Sequence, residues 1–254
     1  LTPGRFRPDF AAIAAAITPR TRAILVNTPH NPTGTVWTEA EMAQLAALLA
    51  PTDILVLADE VYEHMVYDGA THPSLARHPA LAERGVLISS FGKTYHVTGW
   101  KVGFVAAPAA LMAEFRKVHQ FNVFTVNTPM QHALAAFMAD TAPYLALPAF
   151  YQSKRDRFRA GLASTGLALL PCEGTYFQCV SYAGLAPEIA ALPEVAFCEW
   201  LTREVGVAAI PLSAFYSDGR DQQLARLCFA KRDETLERAL ARLRQHLVPH
   251  GPQA

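Results

Sequence analysis

The sequence has no excess of charge of either sign. Its 254 residues include 22 Lys and Arg and 22 Asp and Glu, so the formal net charge is zero. No lysine- or arginine-rich block stands out along the chain. Proteins that bind nucleic acid or an anionic membrane surface usually carry clustered positive charge. The balanced charge of this chain therefore argues against nucleic acid or a membrane as its main partner.

Cysteine is scarce, and no two cysteines form a Cys-x-x-Cys pair. The four cysteines, Cys172, Cys179, Cys198 and Cys228, each lie among apolar residues. This context favours reduced, buried thiols and a cytoplasmic protein over a disulfide framework. The nine histidines are scattered, which gives no support for a metal site. No apolar run approaches the roughly 20 residues that a membrane-spanning helix needs.

Hydrophobic residues, in contrast, make up 51% of the chain, enough for a substantial core. In the first half, short apolar runs alternate with helical patterns, which predicts an α/β fold with a mostly parallel sheet covered on both faces. The predicted strands are 22–27, 53–60, 85–90 and 101–108, and the predicted helices are 38–50, 110–121 and 128–140.

The pattern becomes irregular beyond residue 150, where strands and helices no longer alternate strictly. We therefore predict a domain boundary near residue 150 and an α+β arrangement after it. The elements predicted there are helices 150–165, 194–206 and 232–247 and strands 174–182, 207–211 and 225–231.

Two of the predicted helices carry recognisable start signals. Thr38 followed by Glu41 is typical of a capping box at the start of helix 38–50. Thr128 followed by Pro129 predicts an N-cap and a first helical residue for helix 128–140.

Polar clusters follow several of the predicted strands, where ligands of open α/β sheets bind. The clusters are NTPHNPTG (27–34), ADEVYEHMVYDG (58–69) and SSFGKTYHVTGWK (89–101), and Arg226 lies in a strand of the second half. Taken singly, each has an ordinary structural interpretation, as turn residues, a strand-end carboxylate, a solvated lysine or an edge arginine. Their order, spacing and residue types together indicate one site.

Four motifs resemble those of pyridoxal 5′-phosphate (PLP)-dependent aminotransferases of class I/II, which have fold type I. They are NPTG (31–34), DEVY (59–62), SSFGKTYHVTGWKVG (89–103) and RLCF (226–229). NTPHNPTG and PCEGTYF (171–177) are most similar to the methionine, glutamine and kynurenine aminotransferase subgroup. The resemblance covers almost the whole chain. It implies that residues 1–150 form the C-terminal part of the PLP-binding large domain and residues 151–254 a small C-terminal domain.

The resemblance also implies a role for each motif residue that faces the cofactor. Lys93 would form the Schiff base with PLP and then move the proton at the substrate Cα as general base and acid. Ser90 and Lys101 would hold the cofactor phosphate, with Ser89 beside them. The family often has Arg in place of Lys101, and a lysine keeps the charge but loses the two-pronged geometry.

Asp59 would face the pyridine nitrogen and keep it protonated. Asn31 and Tyr62 would donate hydrogen bonds to the phenolic oxygen of PLP. Arg226 and Asn31 would bind the substrate, and Arg226 would hold its α-carboxylate by a two-pronged contact.

The implied activity is transfer of an amino group from an L-amino acid, with methionine or an aromatic or glutamine-like residue favoured, to a 2-oxo acid. The apolar stretch 121–129 is consistent with a hydrophobic side-chain pocket shared across a homodimer, or with an ordinary core or interface segment. The chain begins at Leu1 and lacks residues matching the family's phosphate loop, ring-stacking aromatic and cross-subunit tyrosine, so we expect it to be truncated at the N-terminus.

Three alternatives remain open at this point. A PLP-dependent carbon–sulfur β-lyase would keep Lys93, Asp59, Tyr62 and Arg226. A transcription regulator with an aminotransferase-like sensing domain would use the same fold without the same output. An inactive fragment would keep the motifs without turnover.

Overall fold

The structure, a computed structural model, describes residues 4–247. Two units can be separated. The first runs to His30 and then from Val36 to Pro148, and the second comprises Asn31–Thr35 and the chain from Ala149 onward. The units therefore separate two residues before position 150, but the segment 31–35 belongs with the second unit. The assignment of residues 1–150 and 151–254 to a PLP-binding domain and a small domain stays a prediction.

The first unit is built on a four-stranded sheet with the order β1-β2-β3-β4. The first three strands are parallel, as predicted, and the last is an antiparallel edge strand. Their bounds are β1 Ala23–Asn27, β2 Leu55–Asp59, β3 Gly85–Ser90 and β4 Gly103–Ala106. The α/β class predicted from the alternating pattern is confirmed for this unit.

Helices follow the strands of the first unit, and α2 packs its apolar face against the sheet. Met42, Leu45 and Leu49 of that helix join Val56 and Leu87 of the strands in one buried cluster. Burying such side chains is the main stabilising term of the fold. The helices are α1 Phe10–Ala16, α2 Glu39–Leu49, α3 Pro79–Ala82, α4 Phe91–Thr94, α5 Ala109–Asn122, α6 Thr128–Phe137 and α7 Ala142–Leu145.

The helix start signals are confirmed in one case and wrong by one residue in the other. Thr38 and Glu41 form the capping box at α2, with both reciprocal hydrogen bonds present. At α6 the N-cap is Asn127, whose side chain accepts a hydrogen bond from the backbone N–H of Met130. Asparagine is a stronger N-cap than threonine, so Thr128 becomes the first helical residue and Pro129 the second.

The second unit contains a four-stranded antiparallel sheet with the order β5-β6-β8-β7. Its strands are β5 Ala168–Leu169, β6 Phe177–Ser181, β7 Ile210–Pro211 and β8 Leu224–Cys228. Its helices are α8 Leu147–Leu162, which begins two residues before the unit does, α9 Pro187–Ala190, α10 Glu194–Trp200 and α11 Asp233–His246. The predicted helix 194–206 therefore ends early as an α-helix, and a π-helical turn, Leu201–Val205, continues it.

Aromatic rings fill the core of the second unit. The rings of Tyr182 and Phe197 stack with centroids 3.9 Å apart, and Phe229 packs against Tyr151 and Phe158. Stacked and tilted aromatic pairs add to the stabilisation that their burial provides.

Within residues 4–247, no single helix is both long and apolar enough to span a membrane. Only the consecutive segments Thr128–Phe137 and Ala142–Leu162, taken together across a bend, match by length and composition. The same residues contain no cluster of three or more His, Cys, Asp or Glu side chains that could hold a metal ion.

Candidate active site

Two predicted site residues end neighbouring strands of the first unit. Asp59 is the last residue of β2 and Ser90 the last of β3, and Asp59 lies opposite Ile88 in the parallel register. One carboxylate oxygen of Asp59 accepts a hydrogen bond from the backbone N–H of Val61 at 3.2 Å. Because both strands are parallel, these two side chains lie at the same carboxyl edge of the sheet.

Lys93 lies on α4, a single helical turn that follows β3 directly. Ser90 caps this turn: its hydroxyl accepts a hydrogen bond from the backbone N–H of Gly92 at 3.1 Å. A side chain at Gly92 would bring a Cβ within 2.8 Å of the Thr98 Cα. Glycine therefore lets the segment after Lys93 fold back tightly over the turn.

Lys101 is exposed and lies outside the strand predicted over 101–108. It follows a 3-10 turn, Thr98–Trp100, and has left-handed backbone angles, with φ of 57°. Only Val102 separates it from Gly103, which pairs with Ser90 across β3 and β4. A non-glycine residue in this conformation is uncommon and carries local strain, a feature found often at functional sites.

Neither lysine forms a hydrogen bond or ion pair through its side chain with any other part of the described chain. The two serines do form such bonds. The Ser89 hydroxyl donates to the Glu63 carboxylate at 2.8 Å, whereas the Ser90 hydroxyl donates to the backbone oxygen of Val102 over a longer 3.5 Å. The weaker bond makes Ser90 the hydroxyl that can more readily turn to a ligand. Tyr62 is buried, with 3% of its surface exposed.

The second unit brings together two predicted residues that are 195 positions apart. A guanidinium nitrogen of Arg226, on β8, donates to the side-chain oxygen of Asn31 at 2.6 Å. The Nε of Arg226 is buried and has no hydrogen-bond partner among residues 4–247. Arg226 therefore keeps donor capacity after it has bonded to Asn31, which is what a carboxylate ligand requires.

The NPTG segment lies with the second unit because it docks on the chain that leads into β6. The backbone oxygen of Gly34 accepts from the N–H groups of Glu173 and Gly174, at 2.9 and 2.8 Å. Gly34 has φ of 74°, and a Cβ there would come within 3.1 Å of the Gly174 oxygen. Glycine is thus required at this position for both its conformation and the close approach.

Two phenylalanines that the sequence reasoning did not assign enclose the Arg226 guanidinium. Its central carbon lies 4.1 Å from the ring centroid of Phe177 and 5.4 Å from that of Phe215. Such cation–π contacts fix the plane of a guanidinium. The motif GTYF contained a signal for Phe177, whereas Phe215 follows β7 with no distinguishing pattern.

Cys179 lies opposite Arg226 in the register of β6 and β8. Burial, with a smaller contribution from Cys172, raises the pKa of the Cys179 thiol to about 12. Cys179 therefore stays a neutral thiol beside Arg226 and does not compete with a bound carboxylate for the guanidinium charge.

The residues of the first unit fit the PLP that the resemblance implies. PLP carries an aldehyde, a basic ring nitrogen and a phosphate. The carboxyl edge of the sheet offers the carboxylate of Asp59 and the hydroxyl of Ser90, the turn after β3 offers the amine of Lys93, and the residue two positions before β4 offers the cation of Lys101. None of the three charged groups forms an ion pair with another described residue, so all three charges remain available to a ligand.

Comparison with known proteins gives a consistent result. The sequence model of the family described as aminotransferase class I and II matches residues 2–243. Methionine aminotransferase of Escherichia coli (strain K12) is 52% identical over 246 residues, covering 96% of this chain and 63% of that protein. A probable N-succinyldiaminopimelate aminotransferase, DapC, of Mycobacterium tuberculosis (strain CDC 1551 / Oshkosh) is 40% identical over 248 residues, covering 94% of this chain and 62% of that protein. Kynurenine–oxoglutarate transaminase 3 of Mus musculus is 39% identical over 236 residues, covering 87% of this chain and 52% of that protein.

Solved structures agree. The crystal structure of YbdL from Escherichia coli, reported with a methionine aminotransferase function, superposes with a TM-score of 0.92 at 52% identity. The alignment covers 96% of this chain and 64% of that one. This chain thus spans less than two thirds of the length of these relatives.

The predicted fold type I is confirmed, and so is the resemblance to the subgroup that contains methionine and kynurenine aminotransferases. The chain belongs to the aminotransferase class I and II family.

Proposed function

We propose that this chain carries the cofactor and substrate residues of an aminotransferase that moves the amino group of an L-amino acid to a 2-oxo acid. Members of the family use PLP, and we propose PLP as the cofactor here. The observation that carries the proposal is Arg226: it is held by Asn31 and two rings, and it keeps a buried, unpartnered Nε for a carboxylate.

Each residue has a distinct task in this proposal. When bound, PLP supplies a conjugated ring that stores the electron pair released as the substrate Cα–H bond breaks. Lys93 would hold the cofactor covalently and, once released, would take the proton from Cα and return it. Asp59 would keep the ring nitrogen protonated, and Asn31 and Tyr62 would donate to the phenolic oxygen. Ser90 and Lys101 would bind the phosphate.

Arg226 would bind the α-carboxylate and thereby fix the direction of the Cα–H bond. We propose methionine first, with aromatic and glutamine-like amino acids next, as amino donors. Support comes from the 52% identity to a methionine aminotransferase and from the apolar segment 121–129.

We also propose a homodimer in the cytoplasm. For the dimer, the support is the exposure of apolar side chains on and after α5, such as Phe121 at 86% and Phe124 at 79%. For the location, it is that Cys172, Cys179 and Cys198 are buried thiols that form no disulfide within the described residues.

The test is a PLP titration of this chain followed by visible absorbance, with Lys93→Ala beside the unaltered chain. Lys117→Ala is the matched control, because Lys117 is exposed and pairs with Glu114. We expect a Schiff-base band in the unaltered chain and in Lys117→Ala but not in Lys93→Ala. An equal band in Lys93→Ala would remove that lysine from its role.

Turnover then separates the proposal from its alternatives. With methionine and a 2-oxo acid, amino transfer is expected to require both substrates and to stop in Lys93→Ala. Pyruvate release from cystathionine in the absence of an acceptor would instead indicate a β-lyase.

A further inference from the structure

Glu194, the first residue of α10, is an acidic side chain with no exposed surface. No Lys, Arg or His among residues 4–247 forms an ion pair with it. Its carboxylate instead accepts three backbone hydrogen bonds. The donors are the N–H groups of Ser213, of Gln222 at 2.9 Å and of Leu224 at 3.0 Å.

A buried carboxylate without a cation is costly unless hydrogen bonds satisfy it. Three backbone donors do so here, and a protein that only needed an apolar core could fill this position more simply. The informative feature is therefore where the three donors lie.

The donors belong to the two segments that carry the surroundings of Arg226. Ser213 is in the 3-10 turn Leu212–Phe215, which ends at the ring over the guanidinium. Gln222 and Leu224 lead into β8, and Leu224 is two residues before Arg226. A single carboxylate thus fixes the spacing between the turn that holds Phe215 and the strand that holds Arg226.

We propose that Glu194 is a positioning residue for carboxylate binding: it keeps Phe215 against the Arg226 guanidinium so that the free donors of Arg226 point to the ligand. The inference rests on the proposed function for the identity of that ligand, a substrate carboxylate. Asp221 supports the arrangement by accepting from the backbone N–H of Glu194 at 2.7 Å.

The first test is Glu194→Gln, which preserves shape but replaces one acceptor oxygen with an NH₂ group. Either the Ser213 N–H or the pair from Gln222 and Leu224 then faces a donor. Glu188→Gln is the matched control, since Glu188 is an exposed acid in the first turn of α9.

The readout is binding of 3-phenylpropionate to the full chain by calorimetry, compared with its neutral amide, 3-phenylpropionamide. The carboxylate probe has no amine, so its binding does not depend on transamination. We expect Glu194→Gln to weaken carboxylate binding about tenfold, as expected for losing a hydrogen bond to a charged group. Binding of the amide should not change, and Glu188→Gln should leave both probes unaffected.

Ser213→Pro is the second variant, in case Glu194→Gln does not fold. Proline removes the N–H that points to Glu194 together with the serine hydroxyl, which makes no hydrogen bond within residues 4–247, and its ring suits the backbone angles of a 3-10 turn. A smaller loss of carboxylate binding, by about threefold, is expected.

Arg226→Gln distinguishes failure of this inference from failure of the proposed function. If Arg226→Gln weakens carboxylate binding and both Glu194→Gln and Ser213→Pro bind like the unaltered chain, Glu194 has no positioning role. If Arg226→Gln has no effect, or the unaltered chain does not prefer the carboxylate probe, the carboxylate site itself is wrong and the inference falls with it.

Discussion

Two helices of equal length, one in each unit, show opposite burial. Helix α11 (Asp233–His246) has 14 residues and buries Leu236, Leu240 and Leu243. Helix α5 (Ala109–Asn122) also has 14 residues and buries none. Its apolar side chains lie exposed, with Val118 at 66% and Phe121 at 86%.

An amphipathic pattern therefore defines the apolar face of a helix but does not specify what covers that face. Both helices have the periodicity of a core-facing helix. In the second unit α8 provides cover for α11, with Leu240 packed directly against Gly161. Most of the large apolar side chains that the described chain exposes to solvent belong to the first unit. This exposed apolar surface supports the proposed dimer.

The largest expected effect on stability comes from truncating the buried face of α11. Leu243→Ala removes a side chain with no exposed surface and should lower the free energy of unfolding by about 2–5 kcal/mol. Val118→Ala on α5 should change it by less than about 0.5 kcal/mol in the monomeric chain. Urea denaturation measures both, and equal losses would show that α5 is buried in solution.

Removing the charge of Arg226 should have the next largest effect, on substrate binding. In the active enzyme, Arg226→Ala should raise KM for amino acids by the equivalent of roughly 2–4 kcal/mol, because a hydrogen-bonded contact between charges is lost. Steady-state kinetics give this number. Arg220→Ala is the control, since Arg220 is exposed and pairs with Asp218. An unchanged KM in Arg226→Ala would remove it from the site.

How much of the site could be predicted depends on the range of the interaction involved. Strand β3 has the predicted bounds, because an apolar run between Gly85 and the polar turn at Ser90 is a local signal. The contact of Arg226 with Asn31 spans 195 positions and was not predicted; the family resemblance assigned both residues to the substrate but not to each other. Glu194 could not be found, since an acid in the first turn of a helix is ordinary until its three long-range donors are known.

Lys101 shows the same limit on a smaller scale. The apolar run after it predicts a strand, but the 3-10 turn before it forces a left-handed residue, and pairing begins only at Gly103. Local propensity favours extension there, and the turn overrides it.

A smaller effect should appear at alkaline pH in the aromatic core of the second unit. Burial, with smaller contributions from Tyr176 and Cys228, raises the pKa of Tyr151 to about 12. The fold favours the neutral phenol, so its contribution is complete below the unfolded pKa of about 10 and is lost as pH rises through 12. Between about pH 9 and about pH 11, the unaltered chain should lose about 1 kcal/mol more unfolding free energy than Tyr151→Phe. Parallel pH profiles would contradict this.

The smallest expected effect is on the free energy of unfolding when the N-cap residues of α2, in the first unit, and α11, in the second unit, are changed. The α2 start depends on the Thr38–Glu41 capping box, whereas Arg232, the N-cap residue of α11, makes no side-chain capping hydrogen bond. Thr38→Ala should therefore lower the free energy of unfolding by about 1 kcal/mol, and Thr38→Ser should largely restore it. Arg232→Ala should change stability by less than about 0.5 kcal/mol, because the buried leucines of α11 and not its cap stabilise that helix. Thermal unfolding of the three variants measures the difference. A larger loss in Arg232→Ala than in Thr38→Ala would show that the α11 start depends on a contact of its capping residue after all.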